Sequence, residues 1–447
     1  HSQLAVFRLL NMFGGFTSIY GSCSFWGSIF SSNMTYGTLV TGHTRDDLVN
    51  SNFIIMWGWN PAESIQRTNT ALCMARAKEK GIKIIAIDPR FTDSIAAFAD
   101  EWIPIRPGTD AAMLLAMMHV IITRGYQDQT FIDSFTVGYE KLKAHVLGED
   151  DNIPKTPEWA AEITGVPAKT IEWIAKAYAT DKPSALLTLG APGRTAFGEQ
   201  FHRAASSIAA LTANVGIHGG ESAGFGLAPV GMHPMSSAGL LKGSDVSRRV
   251  NTVKPQGVHL TKAWDAIIKG REGGYESDIK LVYITNGNPV NQFLNTNKAV
   301  RALKKAEFVV VHEQFMTATA KFADILLPIN THLERNDIIR PWHSGPYYIY
   351  MNQAIDNMYE CKSDMEVCEE LAKRLDIEGY SDKTEDEWLR DLYQTAQDLD
   401  PKNPLVDYDE LKKKGVHKIQ LDGPAIAFKE QIEDPENNPF PTKSGKI

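Results

Sequence analysis

The chain has 447 residues, 43% hydrophobic and 22% charged, with 46 Lys and Arg against 54 Asp and Glu for a formal charge of −8. That length suits two or three domains, and the acidic balance without a basic stripe excludes a nucleic-acid binder. No apolar run approaches the roughly 18 residues a spanning helix needs, and Cys23, Cys73, Cys361 and Cys368 lack the CxxC spacing of a zinc knuckle or an iron–sulfur run.

The opening "HSQLAVFRLLNMFGG" begins without methionine and reads as the tail of a helix entering a glycine turn. It lacks the charged and apolar regions of a signal peptide. Next comes "GGFTSIYGSCSFWG", residues 14–27, a Gly- and Ser-rich stretch that by composition is a surface loop. "SNFIIMWGWNPAES" supplies an apolar strand at about 53–57 and a Gly/Asn/Pro loop. A helix with Pro61 near its first turn is expected from there to Gly81, followed by the strand "IKIIAIDPR". Strand, helix and strand at this spacing form a βαβ unit, and continuous apolar strands point to a parallel sheet.

After "IRPGTD" the apolar run "AAMLLAMMHVIITRG" is a buried helix; the strand "SALLTLG" (184–190) precedes the helix "GEQFHRAASSIAALTANVG". Residues 217–257, rich in Gly, Ser, Pro and Met, form a long connection. A second α/β run follows: strand 279–287, helix 295–306, strand 307–314, strand 323–329 and helix 365–375. The remainder is acidic, mostly helix and loop, and "NPFPTKSGKI" stops on what reads as the start of a strand. Both ends look cut, so a piece of a longer protein is expected.

The fold class is therefore α/β, with two doubly wound, mainly parallel sheet domains flanking a cofactor cleft. Residues 36–224 form one domain, and 1–35 with 225–447 form the second. In open α/β sheets ligands gather outside the carboxyl ends of strands. Here six polar loops follow six strands: "WGWNPAES", "DPRFTD", "RPGTD", "GAPGRTAFGEQ", "NGNPVNQ" and "HEQFMTATA". An Asp ending a strand suits the two adjacent donors of guanine. Arg90, Arg106 and Arg194 suit phosphate, and helix starts behind Pro61 and Asp110 suit a pyrophosphate. GxGxxG, Walker and kinase motifs are absent, so residue chemistry alone supports an α/β protein binding a nucleotide-like cofactor.

The motifs "GGFTSIYGSCS", "WGWNPAES", "IAIDPRFTD", "EWIPIRPGTDAA", "NGNPVNQ", "FMTATAKFADILLP", "LERND" and "NPFPTKSGKI" occur in the order of one family and cover nearly the whole chain. The sequence resembles the molybdopterin oxidoreductases of the dimethyl sulfoxide reductase family, with most likeness to catalytic A subunits of its anaerobic branch. The resemblance implies two molybdopterin guanine dinucleotides gripping one molybdenum, with Ser24 as the protein's ligand to the metal. An oxygen donor suits a hard, high-valent metal; Cys23 is the rival ligand and would change the chemistry. Trp57, Gly58, Asn60 and Ser64 would lie along one dinucleotide. Asp88, Pro89, Arg90, Gly108 and Asp110 would surround its guanosine, with Asp110 on the guanine edge. Gly190, Ala191 and Arg194 match the next contact loop, and Asn288, His312, Glu313, Asn336 and Asp364 match contacts from the second domain.

The family's N-terminal part, which carries a [4Fe–4S] cluster, and its last cofactor-contacting domain have no counterpart in this sequence. The fragment is accordingly expected to bind no cofactor and to be inactive by itself. The implied parent is an oxidoreductase taking an oxygen atom from an S-oxide or N-oxide in anaerobic respiration. It would be exported to the periplasmic side of a bacterial cytoplasmic membrane and partnered by an iron–sulfur electron-transfer subunit and a membrane anchor subunit. Selenate, formate or nitrate chemistry, or a nucleotide-binding module without redox activity, are the alternatives.

Overall fold

The computed structural model describes residues 2–64, 69–230, 257–342, 345–399 and 404–447. The chain divides into two compact units. The first comprises Cys23–Met232, Arg340–Pro346 and Gln420–Ile447; the second comprises His1–Ser22, His233–Ile339 and Tyr347–Ile419.

In the first unit, strands Phe53–Trp57, Lys83–Ile87, Glu101–Ile103 and Ser184–Thr188 form one sheet, all parallel, with Phe53–Trp57 at its centre. All five residues of the central strand are buried because both faces are covered. Phe53, Ile55 and Trp57 join one core with helices Asp110–Thr123, Ala168–Thr180 and Glu199–Leu211, while Ile54 and Met56 face Cys73, Met74 and Ala77 of helix Thr70–Glu79. The period of two in a strand thus sends alternate side chains into two cores. Helix Asp110–Thr123 is apolar nearly all round, as a helix enclosed by neighbours must be.

Residues 23–35 and 420–447 belong to this unit, not to the second domain the sequence suggested. Helix Trp26–Thr35 buries the small residues Ser28, Ser31 and Ser32 on the side packed against helix Glu199–Leu211. Tyr36 stacks on Phe428 at 4.9 Å, and Phe428 and Phe440 enter the same core. The last residues turn instead of forming a strand: Gly445 has φ +70°, and Phe440 N donates to Gly445 O at 3.1 Å. Ile447 still bonds the backbone at Phe135 and Val137, at 2.8 and 2.9 Å. Pro61 also departs from expectation. It lies in a turn over 61–64, residues 65–68 lie outside the described residues, and the helix runs Thr70–Glu79. Most of the 217–257 connection, residues 231–256, also lies outside the described residues.

The second unit has a three-stranded parallel sheet of Leu281–Ile284, Phe308–Glu313 and Ile325–Pro328. Val309 and Val311 pack with Trp264, Ala299 and Leu303 on one face. On the other, Tyr283 packs beside helices Ser2–Phe13 and Asp364–Arg374, joined through Ala5, Val6, Leu9, Cys368 and Ala372. Helices on both faces make this sheet doubly wound too. An antiparallel sheet of Asp337–Ile339, Tyr347–Met351 and Val416–Lys418 was not foreseen; its strands are three to five residues long, too short for a periodic signal. A short parallel pair, Ser18–Tyr20 with Gly257–His259, completes the unit.

Candidate functional site

Four parallel strands place their carboxyl ends on one edge of the first unit's sheet, which gathers residues distant in sequence. Gly58, directly after the central strand, has φ +58° and donates its N–H to Ile87 O at 2.9 Å; a Cβ here would fall 2.7 Å from the Pro192 ring. The loop of Gly190, Ala191 and Arg194 is therefore seated directly on Gly58 through Pro192. Gly108, at φ +80°, faces Thr195 of the same loop. Only glycine fits both left-handed turns without strain.

Asp110 begins its helix and is buried, and its Oδ1 accepts a hydrogen bond from Trp57 Nε1 at 2.9 Å. Burial raises its pKa against the opposing pull of that indole and of the Gly108 and Asp110 amides. Trp57 is itself fully buried. It reaches the edge of the sheet only by holding Asp110.

Along the same edge, Asn60 accepts from Ser94 Oγ at 2.5 Å and donates to Glu63 Oε2 at 2.9 Å. Ser64 is exposed, its amide bonded to Asn60 O at 2.9 Å. Asp88, whose carboxyl is also raised by burial, accepts from the Arg90 amide at 2.9 Å, and the Arg90 guanidinium pairs with Glu63 at 3.0 Å on the exposed surface beside Pro89. Arg106 differs from the sequence expectation. Its guanidinium donates to the carbonyls of Glu162 and Ile163, at 2.7 and 3.2 Å, and so caps the end of helix Pro157–Thr164.

Ser24 is tied to this edge by its backbone. Arg194 Nε donates to Ser24 O at 2.7 Å, and Gly190 lies against that carbonyl, since a Cβ on Gly190 would sit 2.4 Å from it. Gly27 is also tight but less so: a Cβ there would lie 3.1 Å from Gly193 O and 3.3 Å from the Glu199 amide. The Gly/Ser richness of this segment reflects that close backbone approach. Ser24 is exposed, as is Cys23.

The second unit's candidates fall into two groups. Asn288 fixes the loop after its sheet, its Oδ1 accepting from Thr319 N at 3.2 Å and Oγ1 at 2.6 Å. Glu313 caps its own neighbour, accepting from Gln314 N at 2.8 Å. Asn336 donates to Glu385 Oε2 at 2.9 Å and lines a cavity of about 350 Å³ with Glu334, Asp337, Lys383 and Trp388. His312 and Asp364, by contrast, are turned to each other in the interior, Nδ1 to Oδ1 at 2.7 Å, with Tyr283 OH on His312 Nε2 at 2.7 Å. Strand alternation aims His312 at the start of helix Asp364–Arg374, so this pair holds strand to helix.

Two residues escaped the sequence reading. Glu334 of "LERND" clamps the loop above it, accepting from the amides of Met358 and Thr331 at 2.6 and 2.7 Å; these donors hold its carboxyl at about 2. His202 is buried under the Ser24 segment. Its signal was a lone His among the apolar positions of "FHRAASSIAAL". Among the described residues, no helix is long and apolar enough to cross a membrane.

A family model described as molybdopterin oxidoreductase matches residues 1–374. Dimethyl sulfoxide reductase DmsA of Escherichia coli (strain K12) is 36% identical over 475 residues, covering 99% of this chain and 57% of its own length. Trimethylamine-N-oxide reductase of Haemophilus influenzae is 31% identical, covering 100% and 58%. Acetylene hydratase from Pelobacter acetylenicus matches with a TM-score of 0.70 at 21% identity, over 99% of this chain and 61% of that one, a likeness of fold alone. The chain thus spans somewhat more than half the length of these relatives.

Proposed function

Since the chain belongs to the molybdopterin oxidoreductase family, we propose that it is the central part of the catalytic subunit of a bis-molybdopterin guanine dinucleotide reductase acting on S-oxides or N-oxides. The observation that carries this is the Ser24 segment. An exposed oxygen-bearing side chain is fixed through its backbone, by Arg194 and Gly190, to the carboxyl edge of a parallel sheet. Relatives of this chain are named as dimethyl sulfoxide, trimethylamine N-oxide and biotin sulfoxide reductases, which supports this substrate class.

The residues present suit the cofactor. Ser24 offers a hard oxygen donor to the molybdenum. Gly58 and Gly108 take the left-handed turns against which Pro192 and Thr195 of the 190–195 loop are seated. Each carboxylate oxygen has two lone pairs, so the indole bond leaves Asp110 able to take the paired donors of a guanine edge. Arg90 and Arg194 are exposed cations on the same edge, suited to the pyrophosphate with Asn60, Ser64, Asp88 and Pro89 around it. Asn336 and its cavity suit the second dinucleotide, with Asn288 and Glu313 shaping nearby loops; His312 and Asp364 support the strand end from within. When bound, such a cofactor supplies two-electron oxygen-atom transfer. The protein's part is to hold the serine, orient the nucleotide and admit the substrate. By the same family likeness the intact protein would carry a [4Fe–4S] cluster, receive electrons from an iron–sulfur subunit, and sit with a membrane anchor on the periplasmic side of the membrane.

The decisive test uses the intact protein. Ser24→Ala should fold normally, lose one oxygen ligand from molybdenum by X-ray absorption and lose turnover of dimethyl sulfoxide and trimethylamine N-oxide. Cys23→Ser should change little. An unchanged coordination shell in Ser24→Ala would reject the assignment, and turnover of selenate, formate or nitrate in place of S-oxides would reject the substrate class.

A further inference from the structure

His202 lies on helix Glu199–Leu211 with 1% exposure, and neither ring nitrogen has a hydrogen-bond partner in the protein. Burial pushes its pKa down to about 4, so the ring is neutral near pH 7. A neutral imidazole has one N–H to donate and one nitrogen to accept, and buried groups of this kind are paired in nearly all native proteins, with water where protein atoms are lacking. The ring is pressed against Gly193, where a Cβ would fall 2.5 Å from Nε2. It also forms part of the wall of a cavity of about 20 Å³ whose other walls include Ser24, Ser28, Thr188, Gly190 and Arg194.

That volume takes one water molecule, and a water needs two to four polar partners. The wall supplies them. Ser28 Oγ, which donates to Phe25 O at 2.9 Å, keeps its lone pairs to accept, and Ser24 O, which accepts from Arg194 Nε, keeps a second one. An apolar cavity of this size would stay dry; this one is mixed, with Phe25, Leu189 and Phe225 on part of the wall and Ser24, Ser28, Thr188, Arg194 and His202 on the rest.

We propose that the cavity holds one ordered water bound to a ring nitrogen of His202, and that His202 is thereby a positioning residue for the Ser24 segment. The water stands on the cavity and the unpaired ring. Its value to a metal site rests on the reading of Ser24 above. Through the water, the helix that carries His202 grips from below the same segment that Arg194 and Gly190 grip from the side. The serine oxygen is then held in place before any metal arrives, which spares the binding step the cost of ordering the loop.

Two measurements on the intact, metal-free protein test this. A crystal structure should show density for one water within hydrogen-bond reach of a His202 ring nitrogen. Alkylation of Cys23, the exposed neighbour of Ser24, followed by mass spectrometry of its peptide, reports how tightly the segment is held. His202→Leu keeps bulk and removes both nitrogens; it should speed alkylation roughly 2- to 10-fold, the equivalent of one lost hydrogen bond. His202→Gln, which can still bind the water, should stay near the wild-type rate. A dry cavity, or His202→Leu alkylated at the wild-type rate, would overturn the proposal. Should His202→Leu fail to fold, the density in the wild-type protein decides. Neither readout involves molybdenum, so the outcome for Ser24 as a metal ligand is decided separately.

Discussion

At the scale of single residues, the contact between Trp57 and Asp110 carries the most chemical consequence. It joins two positions 53 residues apart by a 2.9 Å bond in the interior, and it orients a carboxylate that the family likeness assigns to guanine. On the proposed reading, Asp110→Asn presents a donor where the guanine edge calls for an acceptor. Leaving a buried donor unpaired costs roughly 1–3 kcal/mol, so the guanine nucleotide released from the purified holoprotein should fall well below that of wild type. Full nucleotide content in Asp110→Asn would make this residue a structural element of the helix start. Asp47 supplies a residue-scale prediction about pH. Burial opposes its ionisation, but His43, Asn50 and the Gly219 amide bond its carboxylate and hold its pKa at about 2, against 3.8 when unperturbed. A carboxyl depressed by folding contributes stability that is present above its unfolded pKa and lost as pH falls from about 4 toward 2. At pH 7 this is worth about 2 kcal/mol. In denaturant titrations, Asp47→Asn should be less stable than wild type at pH 7 and converge with it near pH 2; an unchanged gap would place the effect elsewhere.

At the scale of elements, glycines decide how loops seat on one another. Gly190→Ala would push a methyl to within 2.4 Å of Ser24 O. The backbone of one loop must then move, at a cost of typically about 1–3 kcal/mol for such overpacking. Thermal unfolding should show the loss, and Cys23 beside Ser24 should become easier to alkylate. Ser363 offers a milder case. It accepts from the Glu366 amide while Glu366 reaches back to the Ser363 amide at 2.7 Å, a reciprocal cap on helix Asp364–Arg374. Ser363→Ala should lower stability by about 1 kcal/mol, measured by denaturant midpoint, and it should loosen the His312–Asp364 link at the same helix start.

At the scale of the whole molecule, each unit has a core of its own: Ile55 and its neighbours in the first, Val309 and Val311 in the second. Units with separate cores open separately in general. Ile55→Ala removes buried volume from the first core and should cost about 2–5 kcal/mol. Native-state hydrogen exchange should then show protection lost across strand Phe53–Trp57 and kept across strand Phe308–Glu313. Equal losses in both strands would mean that the chain unfolds as one cooperative body.

The two parallel sheets are legible in one dimension, because apolar runs such as "NFIIMW" and "FVVVHE", each six residues long, lie between turn residues and their pattern is local. The sequence by itself determined the polar loops at the strand ends for the same reason, and the order of motifs was enough to assign the family. It could not determine that residues 23–35 and 420–447 return to the first sheet, since that depends on Tyr36 meeting Phe428 across most of the chain. Nor did it show which polar residues face inward. Arg106, His312 and Asp364 look like ligand contacts in one dimension. Arg106 instead caps a helix, and His312 and Asp364 pair with each other, because burial and partner are properties of the packed core. His202 is the same lesson reversed: packing turns a helix residue into the wall of a small mixed cavity beside Ser24.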